Sequence, residues 1–171
     1  ILFKRLEKSQ LIDKAILATS IREENDALSS YVEKIGIDVF RGSENDVLKR
    51  YYDAAKKYKS ETLVRITGDC PAVDPELVDK VINLFQNNKV DYASNINPPT
   101  FPDGLDTEVF SFSALKKAHI QSKLIADREH VTPYIRRENF FDKINLSNNE
   151  NFSSERWTVD TEKDFKVIEN I

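Results

Sequence analysis

A chain of 171 residues with 40% apolar side chains can bury one domain-sized core. Its 25 basic and 29 acidic residues are mixed along the chain and leave a net charge of −4, which argues against nucleic acid as a partner but allows a small phosphorylated ligand. The single cysteine, Cys70, excludes an internal disulfide and suits a cytoplasmic protein, though a cysteine-poor secreted protein would look the same, and neither a signal peptide nor an apolar run of about 18 residues points to export or a membrane.

Apolar periodicity predicts alternating helices and strands. Residues 1–8 carry Ile1, Leu2 and Leu6 in helical spacing, and 12–18 read as a short strand ending at Thr19-Ser20. Residues 23–35 place Ala27, Leu28, Tyr31, Val32 and Ile35 on one helical face, and 37–40 form a second strand. A helix follows over 45–58, with Leu48, Tyr51, Ala54 and Ala55 inward and Ser43 as its cap. Residues 63–67 are apolar and β-branched, as in a buried strand. A helix over 75–85 opens on Pro75, and 90–94 form another strand.

Residues 95–104, with three prolines and Gly104, predict an ordered loop; 107–112 alternate like a strand. Ser113 is expected to cap a helix ending near Gln121. Residues 128–136 read as helical despite Pro133, 141–146 and 156–159 as short strands, and 161–170 as a closing helix. This order predicts an α/β fold in one domain over 1–171, with a mixed, mostly parallel sheet.

In open α/β sheets, ligands bind beyond the carboxyl ends of strands. Small and polar residues gather there: Arg41-Gly42-Ser43, Gly68-Asp69-Cys70-Pro71, Asn95 and Asp160. Asp69 can hold Mg²⁺ bridged to phosphates, which takes only one or two protein carboxylates, or it can cap the next turn. Asp160 has the same choice, with helix capping the competing job. Arg41 and Arg50 flank a Gly-Ser turn suited to phosphate or a base edge, though a plain cap with surface ion pairs would look the same. His119 reads as a packing residue, and His130 falls in a polar run. Cys70 has no histidine to activate it and reads as a small buried filler.

Five segments then occur in order: Arg41-Gly-Ser-Glu-Asn-Asp-Val-Leu-Lys-Arg-Tyr-Tyr, Val64-Arg-Ile-Thr-Gly-Asp-Cys-Pro, Phe101-Pro-Asp-Gly-Leu-Asp-Thr-Glu-Val-Phe, Arg128-Glu-His-Val-Thr-Pro-Tyr-Ile and Arg156-Trp-Thr-Val-Asp-Thr-Glu-Lys-Asp-Phe. Together they resemble the cytidylyltransferase-like proteins of spore coat polysaccharide biosynthesis, a group similar to the acylneuraminate and ketodeoxyoctonate cytidylyltransferases. The resemblance implies a Rossmann-like three-layer sandwich of the nucleotide-diphospho-sugar transferase type. It implies transfer of CMP from CTP, or of another nucleotide, to a sugar, with pyrophosphate released. It makes Asp69 and Asp160 the Mg²⁺ ligands, and Arg41, Gly42, Ser43, Asp46 and Arg65 the nucleotide side. It turns Asp106, Glu108, Glu129 and His130 toward the sugar, and it allows a homodimer.

Such enzymes begin with a strand and a Gly-rich basic loop that cradles the triphosphate. Ile1 opens inside the helix that would follow, and the chain has no methionine, so a truncated and catalytically impaired chain is expected. Two alternatives compete: a glycosyltransferase of similar fold, disfavoured by the lack of an Asp-x-Asp pair, and a non-catalytic relative.

Overall fold

The computed structural model describes residues 1–169. The elements run α1 (Leu2–Leu6), β1 (Ile16–Ser20), a 3-10 turn (Glu23–Asn25), α2 (Asp26–Lys34), β2 (Asp38–Gly42), α3 (Val47–Tyr58), β3 (Thr62–Arg65), α4 (Pro75–Asn88), β4 (Tyr92–Ser94), β5 (Glu108–Ser111), α5 (Phe112–Gln121), α6 (Ile125–His130), α7 (Pro133–Arg137), β6 (Lys143–Asn145) and α8 (Glu162–Glu169). They fall into two compact units, neither continuous in sequence: Ile1–Asp13 with Val64–Phe110 and Asp142–Ile171, and Lys14–Leu63 with Ser111–Phe141.

In the first unit, β4 runs antiparallel to β5 and parallel to β6. The sheet order is β3-β5-β4-β6. Helix α4 begins where Asp74 accepts hydrogen bonds from the Glu76 and Leu77 backbone N–H groups and Pro75 presets the first turn. Its inward face sends Val78, Val81, Ile82 and Phe85 into a core with Val73, Ala93, Val109 and Leu6. Each of these side chains larger than alanine contributes about 1.5–3 kcal/mol when fully buried. Residues 12–15, expected in the first strand, lie outside it. Just before them the Asp79 carboxylate bonds the Ser9 hydroxyl (2.5 Å) and the Gln10 N–H (2.9 Å), and the Ser9 hydroxyl takes the Ile12 N–H at 3.2 Å, which spends that N–H outside a strand ladder.

In the second unit, β1 and β2 pair in parallel, with Thr19 opposite Arg41 and Ser20 opposite Gly42. Arg41 and Gly42 therefore lie within the strand they were expected to follow. Helix α3 is capped by Asp46, whose carboxylate accepts from the Lys49 N–H at 2.9 Å. Ser43 stands outside that cap, its hydroxyl taking the Asp46 N–H at 3.0 Å. Likewise Ser111, not Ser113, caps α5, because it is extended and reaches the Ala114 N–H at 3.1 Å.

Helix α2 keeps its 3.6-residue period but turns a different face inward. Ser29 and Val32 are buried, whereas Leu28, Tyr31 and Ile35 are exposed. The Ser29 hydroxyl is satisfied internally by the Asn25 carbonyl at 2.8 Å, so burying it leaves no polar group unpaired. The single helix expected over 128–136 is two helices. Val131 adopts φ +73° between them, and Pro133, which cannot donate an N–H, opens the second. The 156–159 strand is only an isolated bridge from Arg156 to Asp103. Asn170, the last residue of the expected closing helix, lies outside the described residues.

Candidate functional site

Three stretches of the first unit converge: the turn after β3, the loop before β5 and the segment leading into α8. Val159 N–H donates to the Asp69 carbonyl at 2.8 Å, Trp157 N–H to the Asp103 carbonyl at 2.7 Å, and Asp103 N–H to the Glu155 carbonyl at 2.9 Å. Gly104 permits the approach. Its φ is +103°, and a Cβ there would stand 2.8 Å from the Trp157 carbonyl carbon. Gly68 has no such duty: its φ is ordinary and a Cβ would meet nothing within 4 Å. The space at Gly68, next to Asp69 in the chain, is open.

The two carboxylates singled out from the sequence are thus brought onto adjoining backbone, and neither is used as a cap. The Asp69 carboxylate meets only the weak Cys70 thiol donor, at 3.7 Å, among the described residues. The cap of α8 is Thr161 with Asp164: Asp164 N–H reaches the Thr161 hydroxyl (3.3 Å), while the Asp164 carboxylate takes the Thr161 N–H (2.8 Å). The Asp160 N–H, with the Thr161 hydroxyl, the Thr161 N–H and the Arg156 guanidinium, holds the Asp164 carboxyl down at about 2. Asp160 itself pairs with the guanidinium of Arg156, four residues before it, and both side chains are well exposed at 57% and 44%. Surface pairs of this kind contribute at most about 1 kcal/mol and exchange readily. An open cleft of about 450 Å³, lined by Val159, Asp160, Thr161, Phe165 and Lys166 among others, adjoins this carboxylate.

Asp106 completes an acidic group. Burial pushes its carboxyl from 3.8 up to about 6, reinforced by Asp103, Glu108 and Asp69 and opposed by Arg65. Glu108, only 1% exposed, is already satisfied: Arg65 Nη1 donates to one oxygen and the Tyr92 hydroxyl to the other, each at 2.6 Å. Its carboxylate thereby fixes Arg65 within the cluster. Burial pushes the Cys70 thiol up to about 12, so it stays protonated and inert, as its reading as a filler requires. No group of three or more His, Cys, Asp or Glu side chains among the described residues is arranged to enclose a metal. Hard carboxylate oxygens are the donors that suit Mg²⁺, which rarely takes more than two of them from protein.

In the second unit, Arg41 spends its guanidinium on its own chain. It donates to the Ser20 carbonyl (2.9 Å) and the Arg22 carbonyl (2.8 Å) and pairs with Asp26 (2.6 Å). It fixes the turn after β1. Asp46 is held by Arg128 at 2.5 Å, and Arg128 also reaches the His119 carbonyl at 2.7 Å. His119 stacks on Tyr52 with centroids 4.4 Å apart, so it packs as its helical position suggests. Glu129 and His130 are exposed on α6. Sequence reasoning missed Asp103 and Arg156 as site residues. Both stand inside the quoted motifs.

An α/β chain that gathers carboxylates with open space beside them has the makings of an enzyme for phosphorylated ligands. The cytidylyltransferase family model matches residues 1–171, and the chain belongs to that family. It is similar to an uncharacterized protein of Methanocaldococcus jannaschii, 45% identical over 98% of this chain and 69% of that protein. It is also similar to the spore coat polysaccharide biosynthesis protein SpsF of Bacillus subtilis, 35% identical over 91% of this chain and 65% of that protein. Among solved structures, a cytidylyltransferase from Leptospira borgpetersenii superposes with a TM-score of 0.93 at 34% identity, covering 98% of this chain and 71% of that one. The α/β fold with mixed sheets is that of the family. No helix among the described residues is long and apolar enough to cross a membrane.

Proposed function

We propose that this protein transfers CMP from CTP to a sugar in the cytoplasm, for surface polysaccharide or glycan synthesis, with Asp69 and Asp160 as the ligands of a Mg²⁺ ion. The observation that carries the reading is the 2.8 Å hydrogen bond from Val159 N–H to the Asp69 carbonyl, which puts the residues bearing two uncapped carboxylates on adjoining backbone. The reaction joins a sugar hydroxyl oxygen to the α-phosphorus, breaks the bond to the β-phosphate oxygen, passes the hydroxyl proton to a base and releases pyrophosphate. Catalysis of this kind is mostly positioning and charge neutralisation. When bound, the ion would supply Lewis-acid charge to the phosphate oxygens. Asp69 and Asp160 would orient it. The buried Glu108 would keep Arg65 in place beside the acids.

Calorimetry of CTP binding with and without Mg²⁺ tests the reading. Mg²⁺-dependent heat is expected from the native sequence and should vanish in Asp69→Asn and in Asp160→Asn. CTP binding indifferent to the ion and to both substitutions would refute it. Pyrophosphate release across a panel of acceptor sugars then separates nucleotidyl transfer from glycosyl transfer.

A further inference from the structure

Arg156 stands between two carboxylates with different obligations. One guanidinium nitrogen contacts Asp160, and Nη1 contacts Asp164 at 3.0 Å. Asp164 is committed elsewhere, because its other oxygen holds the Asp160 N–H, the Thr161 N–H and the Thr161 hydroxyl at the start of α8. Asp160 has no such commitment beyond a long contact from the Thr158 hydroxyl at 3.4 Å. The backbone at Arg156 is pinned by its bridge to Asp103 and by the adjoining hydrogen bonds at Glu155 and Trp157. Any rearrangement is therefore confined to the side chain, which is exposed and moves without a large desolvation cost.

We propose that Arg156 is a charge latch: it neutralises Asp160 until a divalent cation takes that carboxylate, then pivots on Asp164 and presents its freed edge to the phosphates of the bound nucleotide. This rests on Asp160 being a metal ligand, as proposed above. The neighbourhood makes a latch useful. Burial, with Asp103, Glu108 and Asp69 nearby, already raises the Asp106 carboxyl, and an unpaired Asp160 on the backbone adjoining Asp69 would bring one more negative charge to this group. A planar guanidinium suits both duties, since it can fork between two carboxylates and then bind phosphate in the same geometry. The latch predicts effects of opposite sign on two ligands, which a purely structural arginine would not give.

The test is Mn²⁺ titration followed by the EPR signal of the free ion, alone and with CTP. It uses the native sequence, Arg156→Gln, Arg156→Lys and Asp160→Asn, with circular dichroism to verify folding. For Mn²⁺ alone, Arg156→Gln should bind about three- to fivefold more tightly, the most that an exposed ion pair can withhold. For CTP in the presence of Mn²⁺, the same variant should bind about tenfold more weakly, through loss of a charge-assisted contact. Arg156→Lys keeps a cation that can brace Asp164 but cannot span both carboxylates, so it should shift both affinities in the same directions by less. It carries the test if Arg156→Gln does not fold. If Asp160→Asn abolishes Mn²⁺ binding but neither arginine variant changes it, the latch fails and the metal assignment stands. If Asp160→Asn leaves Mn²⁺ binding intact, the metal assignment fails and the latch with it.

Discussion

Asp106→Asn should stabilise the protein at neutral pH and do nothing in acid. Burial and neighbouring acids raise the folded-state carboxyl from 3.8 to about 6. A group whose folded value is raised binds its proton more tightly in the native state. Stability is therefore undiminished below about pH 4, falls as pH rises toward 6, and stays reduced above it. The full linkage for that displacement would be about 3 kcal/mol at pH 7. Asp106 is only partly buried, so solvent screening cuts the figure to about 1 kcal/mol. An amide of the same shape carries no charge and escapes the cost. Thermal melts at pH 7.5 and pH 4 measure it: Asp106→Asn should melt about 2–4 °C higher at pH 7.5 and within error of the native sequence at pH 4. An equal gain at both pH values would refute the electrostatic account and point to packing instead. A gain at pH 7.5 that disappears when Mg²⁺ is added would tie the repulsion to the cation site.

Gly104→Ala should lower stability by about 1–3 kcal/mol, because it adds a positive-φ penalty to a Cβ 2.8 Å from the Trp157 backbone; urea denaturation reads it. Asp46→Ala removes the cap of α3 together with the Arg128 contact and should cost about 1–2 kcal/mol in the same assay. The Asp127 carboxylate is 1% exposed and takes two bonds from Arg137, at 3.0 and 2.9 Å. Arg137→Ala should therefore lower the melting temperature more than the double variant Arg137→Ala with Asp127→Asn, since only the single change leaves a buried charge unpaired.

Two helices were legible: α3 appears where the pattern of Leu48, Ala54 and Ala55 puts it, and α4 opens on Pro75 as its start signal requires. Errors came where a local pattern fitted two structures. Residues 156–159 alternate like a strand, yet Asp103 is their sole bridge partner among the described residues, and pairing depends on a neighbour that the local sequence does not name. On α2 the period was right and the face wrong, because Ser29 could be buried once the Asn25 carbonyl took its hydroxyl. The caps at Ser43 and Ser113 were misplaced by two or three residues, since Asp46 and Ser111 compete with the same chemistry. The family was readable from five motifs in order. The approach of Val159 to Asp69 was not readable from spacing, because a contact so distant along the chain is made by the folded backbone alone.

The hydrogen bond between Asp69 and Val159 joins the turn after β3 to the segment leading into α8 across a long stretch of sequence. Contacts this distant along a chain form late in folding, because the loop between them must close first. Amide exchange at Val159 should therefore report completed folding of this unit rather than local order.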